Sequence, residues 1–492
     1  MKKIAVAFLL FVPALFCRAQ TTDDYETFRQ SIMSDFRRNR EEVLAGFNSY
    51  RDSLNRAYSD FLRNTWSSVE SRSATPLPVD PSPVEPPLYN PSEDPSPVVV
   101  IPREVPAPSP LPRPHPVEPV RETPRPEEKA FSVSFYGIDE SVRLPSTARV
   151  SLPSPDGDLV ASAWEDLSCR SLDNALADCL RIRDQYDLCD WAYLEFLHTL
   201  SSRFCTDSNG ATLLAAFLYC QSGYQMRLAR DGARLVLLYG SRNHVFETPY
   251  YVLDGKTFYT YGTPASALHI CDAAYQGERP MSLLIEKEPK LGGMLSPSRK
   301  VSSTKYPDMA VTSRVPEQLI KFYSGYPTAE FDGKSLSRWA MYAETPFAAR
   351  TSELLYPALR EKLEGLSKLD AVNRLLNLVQ TGFEYELDDN VWGRDRAFFA
   401  EETLYYPYSD CEDRSILFSR LVRDLVGLDV ALVSYPGHLA TAVKFDTDVD
   451  GSCVMIGNDR YVVCDPTFIG APAGRQMPGL DYSQTEAIVL RR

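Results

Sequence analysis

The sequence predicts an α+β protein, with two α+β units in one chain behind an amphipathic helix and a proline-rich stalk. Three observations predict it. An order of helix, strand, hairpin and strand occurs twice, near residues 206–261 and 409–465. Half of the 38 prolines crowd into residues 75–128. Ahead of them, apolar residues recur at three- and four-residue steps over residues 22–70. The length of 492 residues is too great for one ordinary core. A net charge of -14 argues against nucleic acid or an anionic membrane surface as the main partner.

The first element is a targeting segment, residues 1–19. Lys2 and Lys3 precede the apolar run Ile4 to Phe16, which is too short to span a bilayer, and Ala19 offers a small residue for cleavage. Cys17 follows Phe16, whereas a lipid-accepting cysteine follows a small residue, so cleavage without lipid anchoring is expected. No other stretch could span a membrane. The mature chain is expected to be exported, periplasmic or extracellular.

Residues 20–73 follow as an amphipathic helix. Tyr25, Phe28, Ile32, Phe36, Val43, Phe47, Tyr50, Leu54, Tyr58 and Phe61 line one face, with charged residues on the other. Such a helix packs on its own protein, docks a partner or self-associates. Residues 74–128 read as an extended polyproline spacer, reaching on the order of 150 Å at ~3.1 Å per residue.

The folded part begins near residue 129. "TDSNGATLLAAFLYCQSGYQMRLAR" (206–230) matches "SDCEDRSILFSRLVRDLVGLDVALV" (409–433). Each has an Asp, a polar first turn, an apolar-faced helix, a stopping glycine (Gly223 or Gly427) and an apolar strand. His244 then precedes a hairpin turning at Asp254-Gly255, and His438 one turning at Asn458-Asp459. This alignment pairs Ser208 with Cys411, His244 with His438 and Tyr261 with Asp465. The first copy spans 129–275. Residues 276–355 connect, with "KYPDMAVTSRV" and "LIKFYSGYP" read as short strands and turns. The second copy spans 356–485, led in by one or two helices over 352–383.

Cys411, His438 and Asp465 form the candidate catalytic set. A thiol nucleophile needs a base, and the base needs an orienting group. Cys411 opens a helix, where free N–H groups and the dipole favour thiolate and can hold an oxyanion. Asp410, Glu412 and Asp413 act the other way, since negative neighbours raise a thiol's pKa. A lone cysteine or histidine is more often structural, but His438 is the only histidine after His269. Without Cys17 nine of the 10 cysteines remain, an odd number. Cys453 and Cys464 would face each other across the second hairpin and are a candidate disulfide. No CxxC pair occurs, so no structural zinc site is expected.

At "SDCEDRSILFSRLVRDLVGL", "GHLATAVKF" and "VVCDPTF" the chain resembles the transglutaminase-like superfamily, cysteine enzymes of papain-like chemistry. The lead-in, with a helix, the Phe-x-Tyr strand "FEY" and an extended "EETL" segment, is similar too. The resemblance covers about 360–485. It implies Cys411 as nucleophile, His438 as general base and acid, and Asp465 as orienting acid. Ser409 departs from the glycine that many members place before Asp-Cys. The first copy then reads as degenerate, keeping only His244. The implied reaction is acyl transfer through a thioester on a peptide, glycopeptide or protein, with hydrolysis favoured over amine cross-linking. No metal or organic cofactor is implied. The alternative is a non-catalytic envelope scaffold built from such modules.

Overall fold

The computed structural model describes residues 31, 33–35, 38, 50–78, 86–93, 96–117, 120, 122, 129–168, 172–263, 267–331 and 333–491. The targeting segment and most of the 22–49 helical pattern lie outside them. The chain divides into two compact units, Met1–Leu54 and Asn55–Arg492. Among the described residues no helix is long and apolar enough to cross a membrane.

Within Asn55–Arg492 the α+β expectation holds. Residues 55–64 are helical, but the helix expected to run to 73 stops there, and Ser67–Glu70 is a strand. Val69 of this strand packs on a sheet core, and the strand pairs antiparallel with Ala267–Cys271. The first sheet continues through Met226–Asp231, Arg234–Gly240, Lys256–Thr260 and Tyr250–Leu253, all antiparallel. The helix Ser208–Gln221 covers it, with Leu213, Leu214, Phe217 and Leu218 buried.

The second sheet has the inner order Cys453–Ile456, Asp459–Cys464, His438–Lys444, Asp429–Tyr435 and Glu486–Val489, antiparallel throughout. The helix Cys411–Leu425 covers its centre. Helices Ser335–Glu344 and Lys368–Gly382 pack against that helix in turn.

The proline-rich segment is not a free spacer. Its described residues are extended, but they lie on the folded unit and supply both edges of the second sheet. Val99–Val100 pairs parallel with Cys453–Ile456, and Arg103–Glu104 pairs parallel with Glu486–Val489. Tyr89 N–H donates to the Ile469 carbonyl at 2.9 Å, and Val105 N–H to the Ala487 carbonyl at 2.8 Å. Farther on, Arg183 donates to the Pro114 carbonyl at 3.0 Å. The cause is local. Prolines hold the backbone extended, while Val99-Val100 and Arg103-Glu104 keep their N–H groups and meet unpaired sheet edges. Val100 and Val105 are buried. The strap also explains Gly223 twice over: its φ is +92°, and a Cβ there would lie 2.0 Å from the His115 carbonyl oxygen.

Two connecting segments differ from expectation. "LIKFYSGYP" belongs to the helix Glu317–Ser324, because Leu319, Ile320, Phe322 and Tyr323 bury one helical face. "EETL" lies in the helix Ala400–Tyr405, whose start is held by Phe399 N–H donating to Glu402 at 3.2 Å. Two helices, Ala349–Leu363 and Lys368–Gly382, form the lead-in as expected.

Glu401 makes that short helix a source of pH dependence. Its carboxyl accepts the Ala348 N–H at 2.6 Å in a fully buried position. Burial, with the Glu288 charge adding, raises its pKa from 4.5 to about 8 against the pull of Ala348 N–H and Arg420. The folded chain therefore holds a proton that the unfolded chain releases near the ordinary carboxyl value. That stabilisation is complete below the unfolded pKa and is lost as pH rises through about 8. Between about pH 6 and pH 9 this group alone should cost roughly 2–3 kcal/mol. Glu401→Gln should flatten that slope in urea unfolding, and an unchanged slope would count against the protonated carboxyl.

Candidate active site

The second hairpin fixes where the three sequence-predicted residues fall. Ile456 pairs with Asp459, so the turn is Gly457-Asn458, one residue earlier than expected. Gly457 has φ +58°, and glycine at the first central position suits a tight hairpin turn. Cys453 consequently faces Val462, not Cys464, and both sulfurs are free. The candidate disulfide does not form.

The one-residue shift also changes the comparison between copies. Asp207 and Asp410 are N-caps, and Ser208 and Cys411 are the first helical residues. Asp231 faces Arg234 across the first hairpin, as Tyr435 faces His438. Arg234, not His244, is thus the counterpart of His438. Tyr261 N–H bonds the Leu237 carbonyl, and Cys464 pairs with Thr441, three residues beyond Arg234 and His438 respectively. Tyr261 therefore matches Cys464, and Gly262 matches Asp465. His244 sits on another strand pair, with Nε2 2.8 Å from Thr75 and Nδ1 3.2 Å from the Tyr259 hydroxyl. Ser208, Arg234, Tyr261 and Gly262 line a common cavity of about 190 Å³.

In the second copy the corresponding positions hold Cys411, His438 and Asp465. His438 Nε2 lies 2.9 Å from Asp465 Oδ2, with both side chains about 1% exposed. The carboxylate accepts this bond, so Nε2 carries the proton and Nδ1 is the ring nitrogen without one. Asp465 is itself fixed. Its Oδ1 accepts Thr467 N–H at 2.8 Å and Phe468 N–H at 3.3 Å. The buried Gln380 amide donates to the carbonyls of Asp465, Phe468 and Ala471 and accepts from Gly470.

Cys411 is placed by the first turn of its helix. Asp413 accepts Asp410 N–H at 3.3 Å and Phe398 N–H at 2.8 Å. Ser415 Oγ donates to the Leu439 carbonyl at 3.0 Å, tying the helix to the start of the His438 strand. Arg414 donates to Ser409 Oγ and to the Gln380 and Phe383 carbonyls. Ser409, which departs from the expected glycine, therefore serves as an acceptor for Arg414.

The thiol is not held as thiolate. Its Sγ donates to Glu412 Oε2 at 3.0 Å. Burial raises its pKa well above normal, and the Glu412 and Asp410 charges add to this, while the Leu439 N–H works the other way. The acids outweigh the helix terminus. They are themselves perturbed: burial and the neighbouring Glu412 charge raise Asp388 to about 8. Burial, Glu412, Asp413 and Asp388 raise Asp410.

A cavity of about 360 Å³ opens onto this cluster. Cys411, Gly437, Tyr385, Asp388, Asp395 and Glu412 line it, and Pro76, Leu77 and Pro78 form part of its wall. The strap's first residues therefore border the thiol. Asp388, Gln380, Tyr385 and the Pro76–Pro78 wall were missed by sequence reasoning. The run "EYELDDN" held the only signal, an acidic turn after the Phe-x-Tyr strand. No family model, curated protein or solved structure matches the chain.

Proposed function

We propose that the chain is a cysteine-dependent acyl-transfer enzyme of the transglutaminase-like kind, with Cys411 as nucleophile, His438 as base and acid, and Asp465 as the orienting acid. One observation carries this reading: a buried imidazole–carboxylate pair at the start of the strand to which the Cys411 helix is pinned. Isolated buried histidines do not require an acid fixed by two N–H groups and a glutamine-braced loop.

In the reaction, Nδ1 of His438 takes the thiol proton and the sulfur attacks an amide carbonyl. The Cys411 N–H at the helix start is the candidate oxyanion donor. The imidazolium then protonates the leaving amine, and a thioester remains on Cys411. Water releases the acid, while an amine would give a cross-link. Hydrolysis of a peptide or amide is the favoured outcome, because water needs no acceptor subsite of its own beside the thiol.

A second reading has its own observation. The thiol's bond to Glu412 fits a protein that holds this cavity for binding and does no chemistry. Acylation decides between them. An activated acyl donor should modify Cys411 first, by peptide mapping, and His438→Ala should slow this about 10²-fold or more. An absence of acylation at Cys411, or a rate unaffected by His438→Ala, favours the binding reading.

A further inference from the structure

We propose that Asp388, Asp410 and Glu412 bind a hard divalent cation, Ca²⁺ in the first place, beside Cys411. Each offers a carboxylate oxygen, and these oxygens lie within 4.8 Å of one another. All three residues are more than nine-tenths buried. Asp388 gives one oxygen to Arg396 N–H, and Glu412 gives one to the thiol. Asp410 Oδ1 is shielded from solvent and has no hydrogen-bond partner among the described residues. A buried, unpartnered carboxylate oxygen is costly to leave without a counter-charge.

The neighbouring arginines make their ion pairs outside the cluster, Arg338 with Asp395, Arg394 with Glu247 and Arg396 with Glu402, and act on it as nearby charges, Arg338 on Glu412 and Arg396 on Asp388. Arg414 is spent on Ser409 and two carbonyls. Asp413, the fourth nearby acid, is satisfied by two N–H groups and lies outside the site. Proton sharing between Asp410 and Glu412 is the competing account, and it predicts no response to an added divalent cation.

The donor set selects the ion. All donors are oxygens, which excludes a preference for soft metals. Ca²⁺ binds oxygen at about 2.3–2.6 Å in a flexible shell, so donors within 4.8 Å of one another can reach one ion. Mg²⁺ demands a near-octahedral shell and dehydrates reluctantly, which suits a buried carboxylate cluster less well. The cavity of about 360 Å³ leaves room for waters to complete the shell. A bound cation would also draw Glu412 away from the Cys411 thiol.

Cation binding is separable from catalysis, so it is tested in the full chain with and without Cys411→Ala. After stripping with a chelator, calorimetric titration with CaCl₂ alone should show one site, and the melting temperature should rise. Asp388→Asn and Asp410→Asn should each weaken binding at least about tenfold, since each removes one of three charged donors. Asp448→Asn, at an exposed position outside the cavity, should leave it unchanged. No heat and no melting shift up to about 10 mM Ca²⁺ or Mn²⁺ would mean a proton-sharing cluster and overturn the proposal. Equal binding by both cluster variants would place the ion on other surface acids and overturn it as well.

Discussion

His438→Ala is expected to slow acylation of Cys411 by roughly 10³- to 10⁴-fold, at the upper end of the range for a lost general base. The effect should be large because the thiol starts far from thiolate: burial and two carboxylates hold its proton in place. Without the imidazole the thiol proton has only the neighbouring carboxylates, Glu412 foremost, which are weaker bases than the thiolate they would have to form. A peptidyl thioester is a suitable acyl donor, with the Cys411 adduct followed by intact mass. Cys411→Ala should give no adduct. His438→Gln guards against misfolding, since a glutamine amide can still donate to Asp465 while lacking a basic nitrogen. Asp465→Ala should also be slow, because the ring would lose the contact that sets its tautomer and orientation. If His438→Ala and His438→Gln acylate at the wild-type rate with the fold intact, His438 is not the base.

Replacing residues 98–105 with a Gly-Ser sequence of equal length should destabilise the chain by on the order of 4 kcal/mol. Two buried valines, Val100 and Val105, leave the core at about 1.5–3 kcal/mol each. Hydrogen bonds from Cys453 to Val98 and from Arg103 to Thr485 go with them. Val100→Asp, which places a charge in the core around Val433 and Ala442, should show most of this loss alone. Urea unfolding at constant pH measures it. A spacer hanging free of the fold would tolerate the replacement with no change, so an unaltered midpoint would refute the strap.

Periodicity made the helices legible. The helix Ser208–Gln221, the helix Cys411–Leu425 and their glycine stops fall where the pattern puts them. Short elements were less so. Eight residues such as Glu317–Ser324 hold too few turns for a period to stand out, and the six of Ala400–Tyr405 fewer still. Register was the weakest link. Asn458-Asp459 and Gly457-Asn458 are both acceptable turn pairs in sequence, and strand pairing alone selects the second. That single residue decided the disulfide and replaced Tyr261 by Gly262 as the counterpart of Asp465.

By itself the sequence determined the α+β class, the repeated helix-strand order, and the candidacy of Cys411, His438 and Asp465. These follow from local signals, namely caps, periodicity and residue chemistry, which act over a few neighbours. Only the tertiary structure decided that the proline-rich segment is a strap and that Arg234 stands where the first copy's base would be. It also brought Asp388 beside Asp410 and Glu412. Each of these depends on groups far apart in the chain meeting across sheet edges or a helix start. Burial then alters the chemistry: three carboxylates that would be ordinary in water become, once enclosed together, a cluster that retains protons.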